Sequence, residues 1–228
     1  MGPFPEVCEQ VPCVEVGSWV IAEPMTMLTD YVLAVECLIL GGLLLRHALP
    51  RGQSATKWWA LAMLAFSVSF VSGGSEHGFA YHLGQYTPMW DTALLTTAAG
   101  SLGLLAGAGG ALLAAGPRRI LLGVAAPLAL VYMVAELAGY NEFIYLTMYY
   151  GPTLLTLVVI GAWRWRTEGN VGAGWTLATA TTMLGGAGWQ MSQIGLHTHF
   201  NHNDIFHVIM MGAFVFAYWA GLAFEDRD

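Results

Sequence analysis

Seven stretches of this chain are apolar for roughly the 20 residues that a helix needs to cross a hydrocarbon core, and short polar joints separate them. The pattern predicts spans at Met25 to Leu45, Trp58 to Phe79, Thr87 to Leu112, Ile120 to Leu137, Phe143 to Trp163, Ala173 to Ile194 and Asn203 to Phe224. The joints carry the expected breakers: "HALPRGQSATK", "GQYTP", "AAGPRR", "AGYNE", "RWRTEGNVGAG" and "HTHFNHN". Transmembrane strands would alternate and run only about 10 residues. The fold class is therefore all-α: a polytopic membrane protein of seven transmembrane helices. Composition agrees, with 10% charged residues against about 25% in soluble domains, and a mean hydropathy of +0.57.

Charge sets the expected orientation. The eight basic residues are Arg46, Arg51, Lys57, Arg118, Arg119, Arg164, Arg166 and Arg227. With seven spans, all of them fall after span one, three or five, or in the tail, so those segments are cytoplasmic and the N-terminus is outside. Residues 1–24 then form an extracytoplasmic segment, 25–224 the membrane domain and 225–228 a cytoplasmic tail. The first basic residue follows the first apolar run, so span one reads as an uncleaved N-out anchor. The net charge of -7 gives no hint of nucleic-acid binding. Cys8 and Cys13, in "VCEQVPC", are not spaced as a C-x-x-C redox motif, and leave open a small disulfide or two free thiols.

Ionisable groups at bilayer depth cost about 2.5–3.5 kcal/mol on insertion scales, so each asks for a partner or a function. Asp30 and Glu36 fall in span one, Glu76 and His77 near the outer end of span two, Asp91 at the start of span three, Glu136 at the end of span four, and Gln190 and Gln193 in span six. Apart from Glu36 they occupy the outer half. Of the histidines, only His47 is cytoplasmic; His77, His82, His197, His199, His202 and His207 all map to outer ends or to the last outer loop. Three imidazoles beside a carboxylate are the ingredients of a catalytic zinc site, with Asp91 placed to hold or deprotonate the zinc water. His77 follows "SGG", whose glycines allow a close approach by a helix or ligand. On the last helix Asn203 and His207 are four apart and share a face, while Asn201 or Asn203 is suited to cap it. Exposed loop histidines such as His197 and His199 are more often solvated than ligands. A retinal Schiff base is excluded from span seven, because the only lysine is Lys57.

The stretches "SGGSEHGFAYHLGQYTPMWDTALL" and "HNDIFHVIMMGAF" resemble the span two to span three motif and the span seven motif of the CREST superfamily, which includes alkaline ceramidases and the progestin and adipoQ receptors. The N-out topology is that of the ceramidase branch. The resemblance implies a zinc ion held by His77, His202 and His207, with Asp204, Asn203 or His82 as alternatives for the third position, and a catalytic role for Asp91 with Ser72 or Ser75. The chain departs from the family where Gly73 stands at the serine position and Asn203 at the first span-seven histidine. "HFNHNDIFHVI" is also similar to small bacterial seven-span proteins, which implies a multi-pass protein of the bacterial plasma membrane. The implied function is a zinc-dependent, ceramidase-like hydrolase of an amide or ester bond in a lipid-like substrate. The alternative is a non-enzymatic receptor, sensor or metal-binding protein on the same scaffold.

Overall fold

A computed structural model describes residues 6–83 and 88–227, with side chains from 8–79 and 88–227. Seven long helices carry the fold: α1 (Pro24–Ala48), α2 (Ser54–Leu83), α3 (Pro88–Leu112), α4 (Ala115–Leu137), α5 (Phe143–Glu168), α6 (Val171–Ser192) and α7 (His202–Leu222). Each coincides with a sequence-derived span to within a few residues. Six of them, all but α6, are long and apolar enough to cross a membrane, as an integral membrane protein requires.

Helix ends follow local chemistry. Pro24 opens α1, where its missing N–H costs nothing. Asn170 caps α6 by accepting from Ala173 N at 2.8 Å. Asn201 caps α7 in a reciprocal box: its side chain accepts from Asp204 N, and Asp204 Oδ2 accepts from Asn201 N at 2.6 Å. The asparagine ahead of α7 is thus explained by capping, as the sequence suggests.

One departure from an all-helical chain lies ahead of α1. Cys13–Val16 and Trp19–Ala22 pair as a small antiparallel hairpin, β1 and β2, with Gly17 at φ 65° in the turn. A Cys8–Cys13 disulfide ties the segment before it to β1. Strands of four residues give too short an alternation to stand out in a sequence read for 20-residue spans.

The helices pack through small residues. α2 lies between α1 and α3, α7 between α1 and α6, and α5 against α6 and α3. On α3, Gly103 and Gly107 let the backbone of α2 come close: an added Cβ would meet Ala62 Cβ at 3.0 Å and Ala55 O at 3.0 Å respectively. Without water to drive apolar association, such close contact is the main source of helix adhesion in a bilayer. Leu33, Cys37, Trp59, Phe66, Leu104 and Phe214 fill the centre, and Trp59 Nε1 donates to Ala217 O at 2.7 Å, tying α2 to α7.

The two ends of the bundle differ. Every basic side chain sits at one end, where the tail is clasped: Asp226 accepts from Ser54 N and Ala55 N, each at 2.7 Å, and Arg227 pairs with Glu168 at 2.5 Å. Glu168 also pairs with Arg164. The other end holds His77, His197, His199, His202 and His207 and most of the in-span carboxylates, while His47 sits with the basic residues in the last turn of α1.

Candidate functional site

α1, α2 and α7 meet at the histidine-rich end, where two buried contacts of His207 join α7 to α1. His207 is 5% exposed, and both of its ring nitrogens are engaged. Nδ1 lies 2.9 Å from Thr29 Oγ1, which also reaches Thr26 O at 3.0 Å. Nε2 lies 3.2 Å from Asp30 Oδ1, and Asp30 is 3% exposed. If Thr29 donates to Thr26 O, Nδ1 carries a proton and Asp30 supplies or shares the one at Nε2. If Thr29 donates to Nδ1, then Nε2–H donates to Asp30. In both arrangements one proton lies between Nε2 and Oδ1.

α2 packs against the same turn of α1. Gly74 packs on α1 so closely that a Cβ would stand 2.8 Å from Asp30 Cβ and 3.1 Å from Met27 O. Gly73, its neighbour, is looser: an added Cβ would lie 3.6 Å from Asp30 Oδ2. A turn further along α2, His77 Nδ1 pairs with Glu23 Oε2 at 2.8 Å. Glu23 is the residue ahead of α1, held in the left-handed region at φ 41° by N–H donation to Pro12 O at 2.8 Å. A non-glycine residue there carries backbone strain, of order 1–3 kcal/mol. Asn201 Nδ2 donates to Glu23 Oε1 at 3.4 Å, so one carboxylate joins α1, α2 and the cap of α7. Burial pushes the Glu23 carboxyl upward, but the His77 hydrogen bond and charge and the Asn201 amide outweigh it and hold it below its ordinary range.

Asp30, His77 and His207 open onto a cavity of about 300 Å³. Its polar corner is completed by Gln190 and Asn203, joined by Gln190 Nε2 donating to Asn203 Oδ1 at 3.2 Å. Phe66, Phe70, Leu94, Leu146, Phe206 and Met210 supply apolar walls. A concave, mostly apolar site with a few convergent polar groups is the general form of a small-molecule pocket.

The sequence-derived residues divide. His77, His207 and Asn203 line the cavity. His202, the first residue of α7, is half-buried and lies outside the cavity lining. Asp204 is buried in the cap and lies against Thr26, away from the cavity. Ser75 faces α1, with its Oγ 3.0 Å from Tyr31 OH; Ser72 is half-buried on α2 and outside the cavity lining. Asp91 has the expected depth but another direction. Its Oδ1 accepts from Asn141 Nδ2 at 3.4 Å, and Glu136 is its charged neighbour, so it turns toward α4 and not toward the histidines. The side chain of His82 lies outside the described residues. His197 and His199 are exposed in the loop before α7.

Glu23 and Thr29 escape sequence reasoning, because neither is a histidine nor deep in a span. Asp30 and Gln190 are flagged there by depth alone. The available signal for Glu23 is an acid placed directly before the helix-opening Pro24.

A three-histidine zinc site needs one free nitrogen on each imidazole. Here His207 commits both nitrogens within the protein and His77 commits Nδ1, and among the described residues no three His, Cys, Asp or Glu side chains converge as a metal-binding group. In this arrangement the donor set does not fit that ion.

These features define a polytopic, all-α membrane protein with an apolar, polar-cornered cavity at one end of its helix bundle. A family profile matches residues 25–226, and the chain belongs to that family, the family of unknown function DUF6962. No curated protein and no solved structure matches it.

Proposed function

We propose that the chain crosses the membrane seven times with its N-terminus outside, and that the outward cavity binds a lipid-like amphiphile as a non-catalytic receptor or sensor. α6 supports the seventh crossing: its 22 residues span about 33 Å at 1.5 Å each, and it packs between α5 and α7. Its polarity comes largely from threonines whose hydroxyls return to their own helix, as Thr176 does to Gly172 O and Thr179 to Trp175 O, both at 2.8 Å. Seven crossings also put all eight basic residues on one side. Thr198→Cys in intact cells tests the orientation: labelling by an impermeant thiol reagent is expected, and labelling only after permeabilisation would reverse it.

The observation that carries the binding reading is the self-contained Asp30–His207–Thr29 contact at the edge of a cavity with aromatic and aliphatic walls. Its polar groups are satisfied by the protein yet open to a ligand headgroup, and the walls match an acyl chain. The zinc hydrolase remains as the second reading, favoured by the opening of His77 and His207 from different helices onto one cavity. It requires His207 to release Thr29 or Asp30.

Zinc content and turnover, measured together on purified protein in detergent with a panel of N-acyl and ester lipids, separate the two. The receptor reading expects saturable binding without turnover. One equivalent of zinc together with turnover, both lost in His77→Ala and His207→Ala, would replace it with the hydrolase.

A further inference from the structure

A second polar cluster lies at the same end of the bundle, on the flank formed by α3, α4 and the α4–α5 loop. Glu136, one residue from the end of α4, is 2% exposed, and neither of its carboxylate oxygens has a hydrogen-bond donor among the described residues. Its carboxyl lies beside that of Asp91, in the first turn of α3, close enough for the two to share a hydrogen bond when one is protonated. Asn141 reaches the first turn of α3 from the loop: its side-chain amide donates to Asp91 Oδ1 at 3.4 Å, and its main-chain carbonyl accepts from Trp90 Nε1 at 2.7 Å. Tyr132, one turn before Glu136, is 7% exposed and presents a hydroxyl that also lacks a partner among the described residues. Every lysine and arginine of the chain belongs to the opposite end.

Two carboxyls side by side, without a basic partner, cannot both stay charged; either they take up a proton or they take up a cation. One shared proton satisfies one oxygen on each and leaves the Tyr132 hydroxyl bare. A cation uses the whole set, since the carboxylate oxygens, the phenol oxygen and, with its amide turned over, the Asn141 side-chain oxygen are all hard oxygen donors. Asp91 is only half-buried and gives water access to the remaining coordination positions. We propose that Asp91, Glu136, Tyr132 and Asn141 form a binding site for a hard cation, divalent by charge balance and of the calcium class, that fastens α3 to α4 and its following loop. None of its residues lines the cavity, so it stands or falls separately from the ligand-binding reading.

The test is calcium titration of the full chain, purified in detergent and stripped with chelator, followed by melting temperature and calorimetry, with magnesium chloride and sodium chloride in parallel. Wild type is expected to gain melting temperature saturably with calcium. Glu136→Gln and Asp91→Asn each remove one of the paired charges without changing side-chain volume, so both should fold in chelator and weaken calcium by at least about tenfold, the scale on which metal sites respond to lost supporting groups. An absent calcium response in wild type, an equal response in both variants, or one reproduced by sodium chloride at matched ionic strength would overturn the site. Stabilisation of the chelated wild type by acid alone, with none from calcium, would assign the pair to a shared proton and overturn it too.

Discussion

Substitution of Gly74 by alanine places the most direct mechanical load on the site. The new Cβ would stand 2.8 Å from Asp30 Cβ and 3.1 Å from Met27 O, with Tyr31 Cδ1 also at 3.1 Å. Carbon atoms pack at about 3.5–4.0 Å, so α1 and α2 must part by roughly 0.7–1 Å, a gap that forfeits a quarter to a half of each contact it opens. Gly73→Ala is the internal control, because its Cβ meets Asp30 Oδ2 at an ordinary 3.6 Å. Both changes gain about 1 kcal/mol of helix propensity, so their difference isolates the clash. Overpacking of this kind costs about 1–3 kcal/mol, and Gly74→Ala should be less stable than Gly73→Ala by that amount. Reversible unfolding in mixed detergent micelles measures it. The new Cβ presses on Asp30 itself, the partner of His207, so ligand binding should fall in Gly74→Ala and persist in Gly73→Ala. Equal stability of the two variants would refute the close-approach argument, and so would greater loss in Gly73→Ala.

Glu23 carries a pH signature: its folded carboxyl titrates below its ordinary value of 4.5, so its stabilising contribution is complete above that pH and is lost as pH falls through the lower folded value. Glu23→Gln should therefore flatten the acid limb of the stability profile below the ordinary value of 4.5, and an unchanged acid limb would show that the His77 contact does not bear on stability. Asp226→Ala removes the acceptor of two backbone N–H groups at the start of α2 and is expected to cost about 0.5–2 kcal/mol, read as a lowered melting temperature with ligand affinity retained; an unaltered melting temperature would mean that the tail is not fastened there.

Hydropathy and breakers reveal all seven helices because each is a long, mostly apolar run closed by Gly, Pro or polar residues, and Pro24 and Asn201 mark helix starts by their own backbone chemistry. Depth is equally legible. His77, Asp30 and His207 fall at one level because polar groups in an apolar run are rare enough to notice. Azimuth is not. Asp91 shares the level of the histidines yet points to Asn141 and Glu136, because the rotation of α3 is set by the glycine seam it forms with α2, which is a property of two helices together. For the same reason Asp30 can be singled out in the sequence, but its pairing with His207 cannot, since it depends on how α1 and α7 are turned toward each other. The choice of Asn201 as cap turns Asp204 into the box, away from the cavity, by a contact only three residues long.

The most direct measurement is equilibrium binding of a fluorescent N-acyl lipid to the purified chain, comparing wild type with Asp30→Asn and with Phe206→Ala, while melting temperature certifies the fold. Asp30 and Phe206 stand for the polar corner and the apolar wall of one cavity. The account predicts saturable binding to wild type, at least about tenfold weaker in Asp30→Asn, since a polar headgroup loses a charge-assisted partner worth about 1.5–3 kcal/mol. Phe206→Ala should weaken binding in proportion to acyl-chain length. Binding that does not saturate, or that both variants leave unchanged, would contradict the claim that this cavity is the ligand site.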